Sequence, residues 1–235
     1  MTPFIAELAG TAVLITLGSG VVANVLLSRT KGNNSGLIVI ALAWAVAVFV
    51  GVYISAADSG AHLNPAVTVG LAVAGKFSWD QVPGYILAQF LGAFIGSVLT
   101  WLTYKDHFDE TADKEIILAV FSTGPAIRKP LNNFMTETIA TFIFMFGVLH
   151  IQKAEMQLGA LDALPVALLV LGIGLSMGGP TGYSINPARD LGPRIMHAIL
   201  PIKNKGGSDW QYAPIPVLGP LLGAVLAALL FVQLQ

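Results

Sequence analysis

The sequence predicts an all-α membrane protein, with six transmembrane helices and two half-length helices in an inverted repeat. Three observations predict it. The chain holds apolar stretches long enough to cross a bilayer, it holds two shorter ones that each begin at Asn-Pro-Ala, and its two halves repeat the same residues at the same spacing.

The composition sets the solvent. The 235 residues are 55% hydrophobic and 11% charged, where a soluble domain carries about 25% charged residues. The 12 basic and 13 acidic side chains leave a net charge of −1, so no basic field exists to hold nucleic acid. Cysteine is absent, which excludes disulfides, thiolate nucleophiles and Cys-ligated metals. No Ser/His/Asp set, HExxH motif or metal-ligand cluster is present, and the chain reads as a non-enzyme that needs no cofactor and no metal. The apolar run after Met1 has no basic segment ahead of it and resembles a retained span more than a cleaved signal.

A helix needs roughly 20 apolar residues to cross the hydrocarbon layer. Six stretches meet or approach this, at about 4–27, 36–56, 82–104, 133–152, 162–178 and 213–234. Polar connectors separate them, the longest running from Lys105 to Pro130 with charges of both signs. Two shorter apolar stretches, about 64–74 and 186–197, would each span about half a bilayer as a helix. Asn is a good N-cap and Pro suits the first helical position, so Asn64-Pro65-Ala66 and Asn186-Pro187-Ala188 read as the starts of two half-helices.

The repeat is explicit. Phe4, Glu7 and Thr11 recur as Phe134, Glu137 and Thr141; Gly60 and Asn64 recur as Gly182 and Asn186; Pro83, Gly92 and Ala93 recur as Pro214, Gly223 and Ala224. Residues 1–235 form a single membrane domain, with repeats of about 1–105 and 131–235. Three spans per half is an odd number, so the second copy lies upside down. Irregular backbone at membrane depth must line a cavity or be buried in protein, and such segments at corresponding places in inverted halves point to a transport path. Glu7 and Glu137 are ionisable groups inside apolar spans, a costly placement with a structural or functional reason. The small-residue faces Gly92-x-x-x-Gly96 and Gly223-x-x-x-Ala227 suit close helix packing.

The paired Asn-Pro-Ala motifs in inverted halves resemble those of the aquaporin superfamily, and the resemblance covers nearly the whole chain. It implies six-helix protomers in the cell membrane, assembled as homotetramers, with one pore in each. Asn64 and Asn186 would then offer amide N–H donors at the pore centre, where two positive helix ends meet and repel cations. Glu7 and Glu137 resemble the family's buried carboxylates that hold the pore-loop backbone. His62 matches a pore-loop position and either orders that loop or faces the inner half of the pore. Asp58 stands where the family is usually apolar, as a solvated loop charge or a charged mouth.

The resemblance also places a selectivity filter at Trp44, Gly174, Tyr183 and Arg189. Water-selective members typically have His where this chain has Gly174, so Gly174 is expected to widen the constriction. Trp44 and Tyr183 would form an apolar corner, and Arg189 would bond the hydroxyl edge of a solute. Asp190 after the arginine marks the glycerol-conducting branch, and it is grouped here with the loop supports Glu7, Glu137 and His62. That branch commonly has Phe in place of Tyr183, so the extra hydroxyl leaves the preferred solute open.

The expected function is passive diffusion of small neutral solutes such as glycerol, with water. Undissociated lactic acid is an alternative solute, and an ion-coupled secondary transporter is the alternative of another class. The family topology puts both termini in the cytoplasm. It places Lys76 and Lys153 inside and Arg29, Lys31, Lys105, Lys114, Arg128, Lys129, Arg194, Lys203 and Lys205 outside, against the positive-inside tendency. With the family topology, a protease added to intact cells cuts the 105–130 connector; cleavage only from the cytoplasmic side would reverse the orientation.

Overall fold

Thr2 begins the first helix by accepting a hydrogen bond from the Ile5 N–H, with Pro3 at the first position. The computed structural model of the chain describes residues 1–151 and 159–235. Helix α1 spans Pro3–Leu26, α2 Leu37–Ser59, the half-helix α3 Pro65–Val73, and α4 Val82–Thr103. The connector then forms two short helices, α5 Lys105–Glu110 and α6 Lys114–Phe121, followed by α7 Pro130–His150. A 3-10 turn, Gly159–Ala163, leads into α8 Leu164–Thr181; the half-helix α9 is Pro187–Ile199 and α10 is Ile215–Gln233. Among the described residues there is no strand. Lys153 lies outside the described residues.

The predicted spans are found with ends moved by a few residues. The 105–130 connector differs, because Asp113 caps α6 by accepting from the N–H groups of Glu115 and Ile116. Among the described residues, five segments are long and apolar enough to cross a membrane: Pro3–Leu26, Leu37–Ser59, Val82–Thr103, Leu161–Thr181 and Ile215–Gln233. Helix α7 has comparable length, 21 residues, but Asn133, Glu137, Thr138 and Thr141 dilute its hydropathy. All four are buried, so its polar side turns inward and not toward lipid. Large apolar side chains such as Ile38, Leu42, Leu168 and Leu229 are exposed on the outside, as a bilayer-facing surface requires.

Helix α1 packs most extensively on α4 and α2, and α7 on α10. Each half-helix packs against the last span of the other half: α3 on α10, and α9 on α4. The two halves therefore interlock. Close approach rests on glycine. A Cβ on Gly92 would lie 2.4 Å from the Leu8 carbonyl oxygen of α1, and one on Gly223 would lie 2.3 Å from the Thr138 carbonyl oxygen of α7. These are backbone contacts, which no side-chain rotation relieves.

Overpacking of a tight contact costs about 1–3 kcal/mol and occasionally more. Gly223→Leu is expected to lose at least about 3 kcal/mol, read as a lower thermal midpoint of the detergent-solubilised protein. Gly84→Ala, where an added Cβ meets nothing within 4 Å, should leave that midpoint unchanged.

Candidate functional site

Two irregular loops, 60–64 and 182–186, run between a full span and a half-helix. Gly60 ends α2 with φ 82° and Gly182 ends α8 with φ 78°, both left-handed caps of the kind glycine provides. Beyond each glycine the backbone alternates. Ala61 and Leu63 have φ of 53° and 51°, and Tyr183 and Ile185 have 40° and 44°. Four non-glycine residues in the left-handed region at matching places mark a strained backbone held by its surroundings.

A buried carboxylate holds each loop. Glu7 Oε1 accepts from Ser59 Oγ at 2.7 Å and the His62 N–H at 2.9 Å, and Oε2 accepts from the Leu63 N–H and Gln89 Nε2, each at 2.8 Å. Glu137 Oε1 accepts from Thr181 Oγ1 at 2.7 Å and the Ser184 N–H at 3.0 Å, and Oε2 from the Ile185 N–H at 3.0 Å. Both carboxylates are fully buried. The place of Gln89 in the repeat is taken by Pro220, which has no donor, so Glu137 holds its loop with one bond fewer.

His62 has its Nδ1 3.1 Å from Thr68 Oγ1, packs its ring on Phe77 and Tyr85, and lines the central cavity. Asp58 is in the last turn of α2, not on a loop, and takes the Met1 ammonium at 2.9 Å.

The loops meet at the asparagines. Asn64 Oδ1 accepts from the Ala66 N–H, while Asn186 Oδ1 accepts from the N–H groups of Ala188 and Arg189. That capping fixes each amide. Asn64 Nδ2 then donates to the Ile185 carbonyl at 2.8 Å, and Asn186 Nδ2 to the Leu63 carbonyl at 2.9 Å. An amide nitrogen carries two hydrogens, so one on each asparagine is committed across the junction and one remains for the cavity. Pro65, Ala66, Pro187 and Ala188 stand behind, as the buried first turns of α3 and α9.

The cavity beside this junction measures about 140 Å³. Leu14, Val48, Val52, Phe144, Val148, Val166 and Val170 give it apolar lining, and loop residues 60–64 and 183–186, with Arg189, complete it. At one end the Arg189 guanidinium carbon lies 4.2 Å from the Trp44 ring centroid, a cation–π geometry. Arg189 Nη1 and the Tyr183 hydroxyl are buried with no hydrogen-bond partner among the described residues.

Gly174 acts differently from the expectation. It does not line the cavity. A Cβ there would lie 3.0 Å from Tyr183 Cζ and 3.1 Å from its hydroxyl, and a Cβ on Gly178 would lie 2.7 Å from Tyr183 Cδ1. The space left by Gly174 is occupied by the Tyr183 ring, which lies along the Gly174–Gly178 side of α8.

Asp190 also differs. It touches no residue of the 182–186 loop by its carboxylate. Oδ2 accepts from the Thr123 N–H at 2.7 Å and Thr123 Oγ1 at 2.6 Å, and Oδ1 accepts from Arg194 Nε at 2.9 Å. Thr123 lies against Gly182, so Asp190 supports the loop at second hand. Arg194, counted above among the outer basic residues, is fully buried. Its Nη1 donates to the Ser208 and Asp209 carbonyls and its Nη2 to the Thr123 carbonyl, clamping two connectors onto α9. Lys205 donates to the carbonyls of His197, Ala198 and Leu200 at the end of α9, and desolvation there holds its pKa below the usual lysine value. A second cavity of about 610 Å³ adjoins this clamp, lined by Lys114, Glu115, Ser122, Thr123, Arg128 and Asp209 among others.

Ser59, Thr181, Gln89, Thr123 and Arg194 were not anticipated. Ser59 and Thr181 carried a readable signal, since each is a hydroxyl residue directly before the repeated glycine. Gln89 carried another, as an amide inside an apolar span.

An all-helical membrane protein whose two half-helices meet at an internal cavity is a membrane channel. The chain belongs to the major intrinsic protein family, whose model matches residues 1–231. It is 54% identical to a probable glycerol uptake facilitator protein of Thermotoga maritima and 51% identical to a glycerol uptake facilitator protein of Streptococcus pneumoniae, with 98% of each chain covered in both cases. Among solved structures it resembles the aquaglyceroporin of Plasmodium falciparum, with a TM-score of 0.84 and 32% identity over 98% of this chain and 94% of that one.

Removing one partner of a buried ion pair leaves an uncompensated charge, at a cost of about 3–5 kcal/mol. Arg194→Met is expected to lower the thermal midpoint accordingly, measured on purified protein in detergent, because Asp190 then keeps only its two bonds from Thr123.

Proposed function

We propose that this protein is a passive channel for glycerol and similar small neutral solutes, with water. One observation carries the reading. The cavity is lined both by apolar side chains of the spans and by the Asn64 and Asn186 loops with Arg189, a guanidinium that has no carboxylate partner among the described residues. A polyol has the matching character, with a carbon backbone along one edge and hydroxyls along the other. Relatives named as glycerol uptake facilitators support it.

In this reading Asn64 and Asn186 each donate their remaining amide hydrogen to a passing hydroxyl. Trp44 and Tyr183 contact carbon, and Arg189 donates to oxygen at the constriction. The unpartnered Tyr183 hydroxyl bonds solute as well, which makes this filter more polar than one with Phe. The N-termini of α3 and α9 face the same junction and disfavour cations there. Glu7, Glu137 and His62 hold the loops and move no proton. The chain is a single channel domain of two inverted repeats, 1–105 and 131–235. It works in the bilayer as a homotetramer, non-catalytic and without cofactor, and its exposed apolar side chains meet lipid or a neighbouring protomer.

The test is stopped-flow light scattering of proteoliposomes under a glycerol gradient. Fast glycerol entry is expected, and Gly174→His should slow it by about tenfold or more by driving the Tyr183 ring toward Arg189, since pore diameter sets selectivity. Water flux without glycerol flux would overturn the reading.

A further inference from the structure

We infer that Gly18 and Gly178 set the width of the filter from behind, as specificity-determining positions outside the lining itself. The inference rests on the filter reading above, and it assigns selectivity to residues that touch no solute.

Gly18 lies on α1, facing the indole of Trp44. A Cβ at residue 18 would sit 2.3 Å from Trp44 Cζ3, 2.4 Å from Cη2 and 2.5 Å from Cε3. Carbon atoms pack at about 3.5–4.0 Å. The six-membered edge of the indole therefore rests directly on the backbone of α1, in space that only glycine leaves. With a methyl group there, the ring must move by about an ångström to regain ordinary contact. Its other neighbours decide the direction. Trp44 lines the cavity, and the Arg189 guanidinium lies 4.2 Å from its ring centroid. The ring moves into the cavity and toward Arg189, narrowing the constriction.

Gly178 does the same for the second aromatic. A Cβ there would lie 2.7 Å from Tyr183 Cδ1 and 3.0 Å from Cε1, and Tyr183 also lines the cavity. Both filter aromatics are thus drawn back against glycine on the helices behind them. Neither glycine has a positive φ, so alanine fits the backbone at both places and only the space behind the ring changes. The consequence is selective. Glycerol is wider than water, so a narrower opening penalises glycerol far more.

The experiment measures glycerol and water permeability of the full chain in proteoliposomes, normalised to inserted protein. Wild type is compared with Gly18→Ala and Gly178→Ala, and Trp44→Phe with Gly18→Ala/Trp44→Phe. Gly18→Ala is expected to lower glycerol permeability by about tenfold and water permeability by less than about twofold. Gly178→Ala should act in the same direction. Phenylalanine at 44 lacks the outer ring atoms that collide with residue 18, so adding Gly18→Ala to Trp44→Phe should change the glycerol-to-water ratio of that variant by less than about twofold. An unchanged glycerol-to-water ratio in Gly18→Ala overturns the inference. Equal loss of both fluxes in Gly18→Ala, repeated when it is added to Trp44→Phe, also overturns it, because that is the mark of damaged folding. A wild-type protein that passes water and no glycerol overturns the filter reading itself, and is recognised before any variant is compared.

Discussion

Lipid at the depth where residues 60–64 and 182–186 run offers no hydrogen-bond partners, so the N–H groups that turn away from the cavity must find acceptors inside the protein. Glu7 and Glu137 supply those acceptors, and the rest of the site follows from them. A carboxylate accepts several bonds in a fixed fork, and each one gathers two successive backbone N–H groups and one hydroxyl from the end of the preceding helix. That grip holds the left-handed residues Ala61, Leu63, Tyr183 and Ile185 in place. It also aims the Leu63 and Ile185 carbonyls at the opposite asparagines. The two grips are unequal, since Gln89 strengthens the first and Pro220 leaves the second with three bonds.

Two arginines on α9 show how neighbouring positions on one helix divide work. Arg194 lies one turn beyond Asp190 and on the same face, as i,i+4 residues do, and it is consumed by that carboxylate and three backbone carbonyls. Arg189 precedes Asp190 by one residue and points elsewhere, onto Trp44 beside the cavity. The carboxylate nearest in sequence to Arg189 is thus already occupied, and among the described residues Nη1 of the guanidinium at the cavity has no hydrogen-bond partner.

Much of this was legible in the sequence. Long apolar stretches gave the spans, because hydropathy and length suffice to recognise a helix in lipid. Asn-Pro placed the starts of α3 and α9, because capping is a local property. The repeat pointed to both carboxylates. What stayed hidden depends on contacts between distant segments. Gly174 reads as missing bulk in the lining until Tyr183 is seen lying over it. Arg194 reads as a surface charge until Thr123 and Ser208 are seen closing around it. Helices α5 and α6 were hidden within a charged connector, where short amphipathic turns are set by docking more than by their own pattern. Asp58 reads as a loop charge because the apolar stretch ends near residue 56, while the helix itself continues to Ser59.

The cross-bonds between the asparagines and the opposite loops have a bearing on how the protein is made. The first half of the chain leaves the ribosome with its Leu63 carbonyl and Asn64 amide facing a partner that does not yet exist. Both stay without their native partners until residues 185 and 186 arrive, more than a hundred residues later. A half-inserted chain thus carries an open polar seam at membrane depth, which water or an insertion factor must cover. The central junction is consequently among the last parts of the molecule to close during biogenesis.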